Sequence, residues 1–230
     1  MAQNFKSVTH CIFDMDGLLL DTETLYTKAT QQILDKYGKT YTWEVKMTFM
    51  GLRHMEMCQR IVEIYELPLT AEEYSKLQRE VNSKIMKNAP LLPGAERLLR
   101  HLHTHNIPFC LATSSGEEMV EIKITNHREL FKLFHHRVCG STDPEVKQGK
   151  PAPDIFLIAA SRFPDKPDPS KCLVFEDAPN GVKAGHSAGM QVVMVPDERV
   201  PLEMSALATQ RLRSLEEFQP ELYGLPPFKN

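Results

Sequence analysis

The chain has 230 residues, 42% of them hydrophobic, and a formal net charge of −3. That is enough for one good core plus a small accessory domain, and the charge balance excludes a bias toward nucleic acid polymers or anionic membranes. The opening Met-Ala-Gln-Asn-Phe-Lys has no apolar leader core, and no later stretch has the long charge-free run of a membrane span, so the expected home is the cytoplasm.

Cys11-Ile12-Phe13 is a short apolar run of the kind that forms a buried parallel strand, and it ends in Asp14 and Asp16 followed by Gly17. In open α/β sheets ligands gather at the carboxyl ends of strands. Two carboxylates crowded there repel each other unless one is protonated or a cation lies between them, and a hard divalent ion, magnesium first, is the natural partner. Gly17 permits a tight turn whose backbone N–H groups can face a phosphate. The plainer reading is an Asx-type turn.

A second parallel strand needs only a dozen or more intervening residues. Here the next strand is Ile107 to Ala112, and its crossover helix, Gly94 to Asn106 with Ala95, Leu98, Leu99 and Leu102 on one face, leaves residues 21–89 surplus. Three helical stripes fill that surplus: Leu25, Ala29, Ile33 and Tyr37; Met55, Cys58, Val62 and Tyr65; Tyr74, Leu77, Val81 and Ile85. The expectation is an α/β doubly wound parallel sheet over residues 1–20 and 90–230 with a small helical cap domain, 21–89, inserted and able to act as a lid. Gly51, Leu52 and Arg53 are expected to open a cap helix facing the core. Met47, Met50, Met55 and Met57 could line a pocket, but packing within the insert is the readier use.

Thr113-Ser114-Ser115-Gly116 ends the second strand before another helix. Its hydroxyls could cap that helix or bind phosphate, since both roles use the same orphan amides. Arg137 to Gly140 is a short third strand. Gly149-Lys150-Pro151-Ala152-Pro153-Asp154 holds Lys150 in a loop of restricted geometry, suited to a point charge for phosphate. Lys171 to Asp177 is an apolar strand ending in Glu176 and Asp177, a second acidic strand end that can share a metal with the first. Asp177 could equally cap a helix. Gln191 to Val195 is a further strand, and the tail from Leu215 onward is expected to pack irregularly.

Five cysteines, Cys11, Cys58, Cys110, Cys139 and Cys172, lack zinc or redox spacing and are expected to be buried hydrophobes. His101, His103 and His105 have no acid or thiol beside them, so a surface or terminal role outweighs a metal triad.

The ordered set FDMDGLLLDTE, LATSSG, GKPAPDIF and CLVFEDAPNGV resembles the haloacid dehalogenase superfamily of phosphohydrolases over essentially the whole chain. The resemblance implies that Asp14 forms an aspartyl-phosphate and that Asp16 protonates the leaving oxygen and then helps water attack. It also implies that Asp14, Asp177 and the Asp16 carbonyl hold Mg2+ with Glu176 nearby, while Thr113, Ser114 and Lys150 hold the phosphoryl oxygens. The implied reaction is hydrolysis of a small phosphomonoester, such as a nucleoside 5′-monophosphate of the pseudouridine kind, by a monomer. The alternative that the shared core leaves open is a phosphosugar mutase like β-phosphoglucomutase. A phosphorylation-receiver domain would need neither the helical insert nor a proton-shuttling Asp16, and a metabolite-binding relative would have no reason to retain both Asp14 and Asp16.

Overall fold

The computed structural model describes residues 5–49 and 54–229. By its internal contacts the chain divides into two compact units, one running up to Asp21 and resuming at Pro90, the other Thr22–Ala89. Asp21 stays with the sheet because its N–H donates to Pro90 O at 2.9 Å.

The first unit starts with β1, His10–Phe13. The second unit follows with α1, Thr22–Leu34, the short α2, Trp43–Met47, α3, His54–Tyr65, and α4, Ala71–Ile85. The α4 start carries a reciprocal capping box between Thr70 and Glu73. Ile33, Cys58, Ile61, Tyr65 and Tyr74 form this unit's core, while Met55 is exposed and Met57 packs at the edge. The expected α4 stripe holds at Tyr74, with Leu77 and Val81 packed against the core and Ile85 partly buried, but the buried face also takes in Ala71, Ser75, Gln78 and Asn82. A period-based stripe follows hydrophobicity alone, and here polar side chains occupy the inner face. Met50, Gly51, Leu52 and Arg53 lie outside the described residues.

Back in the first unit come α5, Ala95–Thr104, β2, Phe109–Thr113, α6, Glu117–Lys123, α7, Arg128–Phe131, and β3, Arg137–Cys139. Then follow α8, Asp154–Ser161, β4, Cys172–Glu176, α9, Pro179–Ser187, β5, Gln191–Met194, and β6, Gln210–Arg211. The four apolar residues expected on α5 are all buried. β2 begins two residues later than the apolar run suggests, because Pro108 has no N–H to give to the ladder. The two-residue β6 carries too little pattern to be found in the sequence.

All pairings are parallel, in the order β3-β2-β1-β4-β5-β6, the doubly wound α/β arrangement whose order reverses between β1 and β4. Ile12, Cys110, Val174 and Val192 meet Phe156 and Ala159 of α8 and Val182 of α9 on one face. On the other, Phe13 stacks on Phe175 at 4.5 Å and meets Phe109 and Phe134 edge-on. Covering both faces is what makes β1 continuously apolar rather than alternating. The tail packs irregularly, burying Phe218 and Tyr223 in 3₁₀ turns. Among the described residues no helix is long and apolar enough to cross a membrane.

Candidate active site

Asp14 leaves the end of β1 with its N–H donating to Phe175 O at 3.0 Å, so its loop is tied to β4. Buried Met15, Leu18, Leu19 and Leu20 anchor the turn, and the N–H groups of Leu19 and Leu20 both return to Met15 O. Gly17 has φ 75°, where a side chain is strained. Its own N–H is taken by Leu20 O at 2.9 Å, so this amide closes the turn instead of facing a ligand.

Three strand ends meet at the Lys150 ammonium, which donates to Asp14 Oδ1 at 2.5 Å, Glu176 Oε1 at 2.6 Å and Ala112 O at 3.1 Å. The loop before it is ordered by Asp154, whose Oδ2 accepts from the N–H groups of Lys147 and Gln148. The expectation of a lysine in a constrained loop holds, but its three donors are spent on two carboxylates and a carbonyl. Glu176 also accepts, through Oε2, from the N–H groups of Asp177 and Ala178. Gly181 on α9 makes room for it: a Cβ there would lie 1.9 Å from the Glu176 carboxyl carbon. Ala178, not Asp177, is the N-cap of α9, which sets aside the capping alternative.

Burial pushes the Asp14 carboxyl up to about 7, Lys150 works against that shift, and Glu176 and Asp16 reinforce it. Burial acts against the Lys150 ammonium too, yet Asp14 and Glu176 together raise it above the usual lysine range. Two buried carboxylates therefore share one lysine.

Asp16 has separate company. Its Oδ1 accepts from Lys123 Nζ at 2.5 Å, and its Oδ2 from Ser115 Oγ at 2.9 Å and, more weakly, Thr113 Oγ1 at 3.4 Å. Lys123 also donates to Ser115 Oγ at 2.7 Å. Sequence reasoning missed Lys123, and it named Ser115 only among hydroxyls that could cap the helix or bind phosphate. One signal was available: Lys123 shares its helical face with Val120 and is followed by Ile124, so a charged residue sits within an apolar stripe and is buried there. None of the hydroxyls caps α6, whose N-cap is Gly116, while Glu117 N–H is satisfied by Thr142 Oγ1. Thr113 is buried and accepts from Ser115 N–H at 3.1 Å; Ser114 is exposed.

The four acids do not form a ready cage: among the described residues no three acid, His or Cys side chains are grouped to hold a metal. Lys123 and Ser115 engage the Asp16 carboxylate, and Lys150 and two amides engage Glu176. The donor chemistry nevertheless fits magnesium, which commonly takes one or two carboxylates and completes its shell with water and phosphate oxygens. The carboxylate excess at Asp14 and Glu176 is where such a charge is electrostatically wanted.

The histidines expected to be peripheral are engaged at the surface: His101 Nε2 lies 2.8 Å from Pro226 O, and His101 and His105, one turn apart, have rings 4.3 Å apart. All five cysteines are free and buried.

Comparison with known proteins gives the family. A family model described as haloacid dehalogenase-like hydrolase matches residues 8–189. A Drosophila melanogaster protein named "Probable pseudouridine-5'-phosphatase" is 62% identical over 223 residues, 97% of this chain and 96% of that one. The (DL)-glycerol-3-phosphatase 2 of Arabidopsis thaliana is 48% identical over 227 residues, 97% and 94% of the two chains. The crystal structure of beta-phosphoglucomutase from Clostridium difficile superposes with a TM-score of 0.71 at 25% identity, covering 94% of this chain and 97% of that one.

Proposed function

Since the chain belongs to the haloacid dehalogenase-like hydrolases and is a phosphoric monoester hydrolase, we propose that it cleaves a small phosphomonoester through a phosphorylated Asp14. The observation that carries this reading is Asp14 itself, a buried carboxylate at a strand end held 2.5 Å from Lys150. In the first step an Asp14 oxygen bonds to phosphorus, the ester P–O bond breaks, and Asp16 gives its proton to the leaving alkoxide. In the second, water attacks phosphorus, Asp16 takes back a proton, and the Asp14–phosphorus bond breaks to release phosphate. Net, ester and water become alcohol and inorganic phosphate.

Lys150 stands beside the atom that would carry the phosphoryl group and so offsets its charge, while Thr113 and the exposed Ser114 are assigned to its oxygens. Asp14, Asp177 and the Asp16 carbonyl would hold Mg2+, with Glu176 keeping Lys150 in place. Bound there, the ion supplies charge neutralisation on the phosphoryl oxygens. The working unit is taken as a monomer. Five free thiols favour the cytoplasm.

The proposed substrate is a nucleoside 5′-monophosphate, pseudouridine 5′-phosphate first, a choice that rests on the 62% identical relative. Glycerol 3-phosphate is the second candidate, on the 48% identical one. The test is product analysis with nucleoside, glycerol and hexose monophosphates, with and without magnesium. Phosphate released in step with nucleoside, and lost on chelation, is the expected result. Isomerised hexose phosphate that needs a bisphosphate primer and yields little free phosphate would overturn it.

A further inference from the structure

We propose that Lys123 is a positioning residue: with Ser115 it fixes the plane of the Asp16 carboxylate, so that the proton transferred to the leaving oxygen is delivered from one direction. The inference rests on the acid role assigned to Asp16 above. Three short contacts close a ring, Lys123 Nζ to Asp16 Oδ1 at 2.5 Å, Lys123 Nζ to Ser115 Oγ at 2.7 Å, and Ser115 Oγ to Asp16 Oδ2 at 2.9 Å. The hydrogens balance in the ionised state, where Ser115 spends its one O–H on Asp16 and accepts from the ammonium; to act as the acid, Asp16 first takes up a proton from water, and the carboxyl so formed still accepts through its remaining lone pairs. A carboxylate held by one oxygen can still rotate about its last bond, whereas one held by both oxygens from different donors cannot.

The burial pattern fits a device of this kind. Lys123 is fully buried, while the Asp16 side chain keeps 21% of its surface open. The anchor is therefore inside the protein and the carboxylate it holds is the partner that faces outward. Desolvating an ammonium is costly unless it is well paired, and apolar residues of similar volume often serve stability as well or better. Orientation gives a reason to keep a lysine, because proton transfer depends on angle and on distances of a few tenths of an ångström. Nothing in the four recognised motifs contains Lys123. It reaches Asp16 from 107 residues away along the chain.

The experiment compares kcat/KM for pseudouridine 5′-phosphate, whose alkoxide must be protonated as it leaves, with 4-nitrophenyl phosphate, whose phenolate leaves without help. The constant kcat/KM reports steps through the first irreversible one, here transfer to Asp14, so later water attack does not mask the effect. Lys123→Met is expected to lose roughly a hundredfold on the nucleotide and less than roughly tenfold on the aryl ester, within the range of general acid catalysis. A role confined to stability would depress both substrates alike. Equal losses on the two esters, or no loss on either, would overturn the proposal. If Lys123→Met does not fold, Ser115→Ala opens the same ring from the exposed side and is judged by the same ratio, a smaller but still substrate-dependent loss being expected. Asp16→Asn run in parallel separates the two levels. If it too loses equally on both esters, the acid role of Asp16 fails; if it discriminates and Lys123→Met does not, only the positioning role of Lys123 fails.

Discussion

Asp14 and Asp16 lie two residues apart on one turn, yet they are held by opposite kinds of surroundings. Asp14 is buried and shares its lysine with a second buried carboxylate, Glu176, so that corner carries more negative than positive charge. Asp16 is partly open and has Lys123 and Ser115 as close partners, so its corner is balanced. The difference teaches how one short turn can support two chemistries. An excess of buried carboxylate resists ionisation and favours a cation, while a balanced, pinned carboxylate is fixed in direction.

Neutralising the crowded corner is the harshest test. Asp14→Asn is expected to lower turnover by roughly 10⁴-fold or more, as loss of a nucleophile does, with thermal stability unchanged or raised because one of two buried charges is gone. Near-normal turnover by a folded variant would end the distinction between the two acids.

Removing the shared cation should be costly in both respects. Lys150→Met leaves Asp14 and Glu176 without their lysine, and a loss of about 3–5 kcal/mol is expected from urea unfolding, together with a large loss of activity. Adding Asp14→Asn to Lys150→Met should restore part of that stability. If the double variant were no more stable than Lys150→Met alone, the charge-excess account of this corner would fail.

A smaller perturbation reaches the same corner from behind. Gly181→Ala puts a methyl group where the Glu176 carboxylate sits, and since that carboxylate is held by Lys150 and two amides it cannot swing away freely. About 1–3 kcal/mol of destabilisation is expected, with reduced activity. Gly189→Ala, just past the end of α9 in open space but with φ 78°, should be strained without touching activity.

The smallest expected effect is at the other end of β1. His10 is buried, and burial holds its imidazole below the usual range although Asp165 pulls the other way. The unfolded chain then binds more protons than the folded one below about pH 6.5, so this contribution to stability is complete above that pH and declines as the pH falls. Urea midpoints measured from pH 7.5 to 5.5 should fall, and less steeply in His10→Asn. An unchanged slope would assign the acid sensitivity elsewhere, with His136, also held low mainly by burial, as the next group to test.

The strand ends were legible because each is local: an apolar run stops at an acid, a hydroxyl or a constrained lysine, and a parallel sheet brings such stops to one edge. Gly181 was visible as a letter in CLVFEDAPNGV but not as the space into which Glu176 folds. The buried face of α4 is wider than its apolar residues show, because Ser75, Gln78 and Asn82 look like solvent residues until a neighbour covers them.

By itself the sequence determined the doubly wound sheet, the helical insert and the acids, hydroxyls and lysine at the strand ends, since periodicity and strand termini are written in neighbouring residues. Only the tertiary structure decided which lysine serves which carboxylate. Lys150 meets Asp14 across 136 residues and Lys123 meets Asp16 across 107, and ion pairs between such distant positions leave no mark on local pattern because they are set by the order in which the strands are laid side by side.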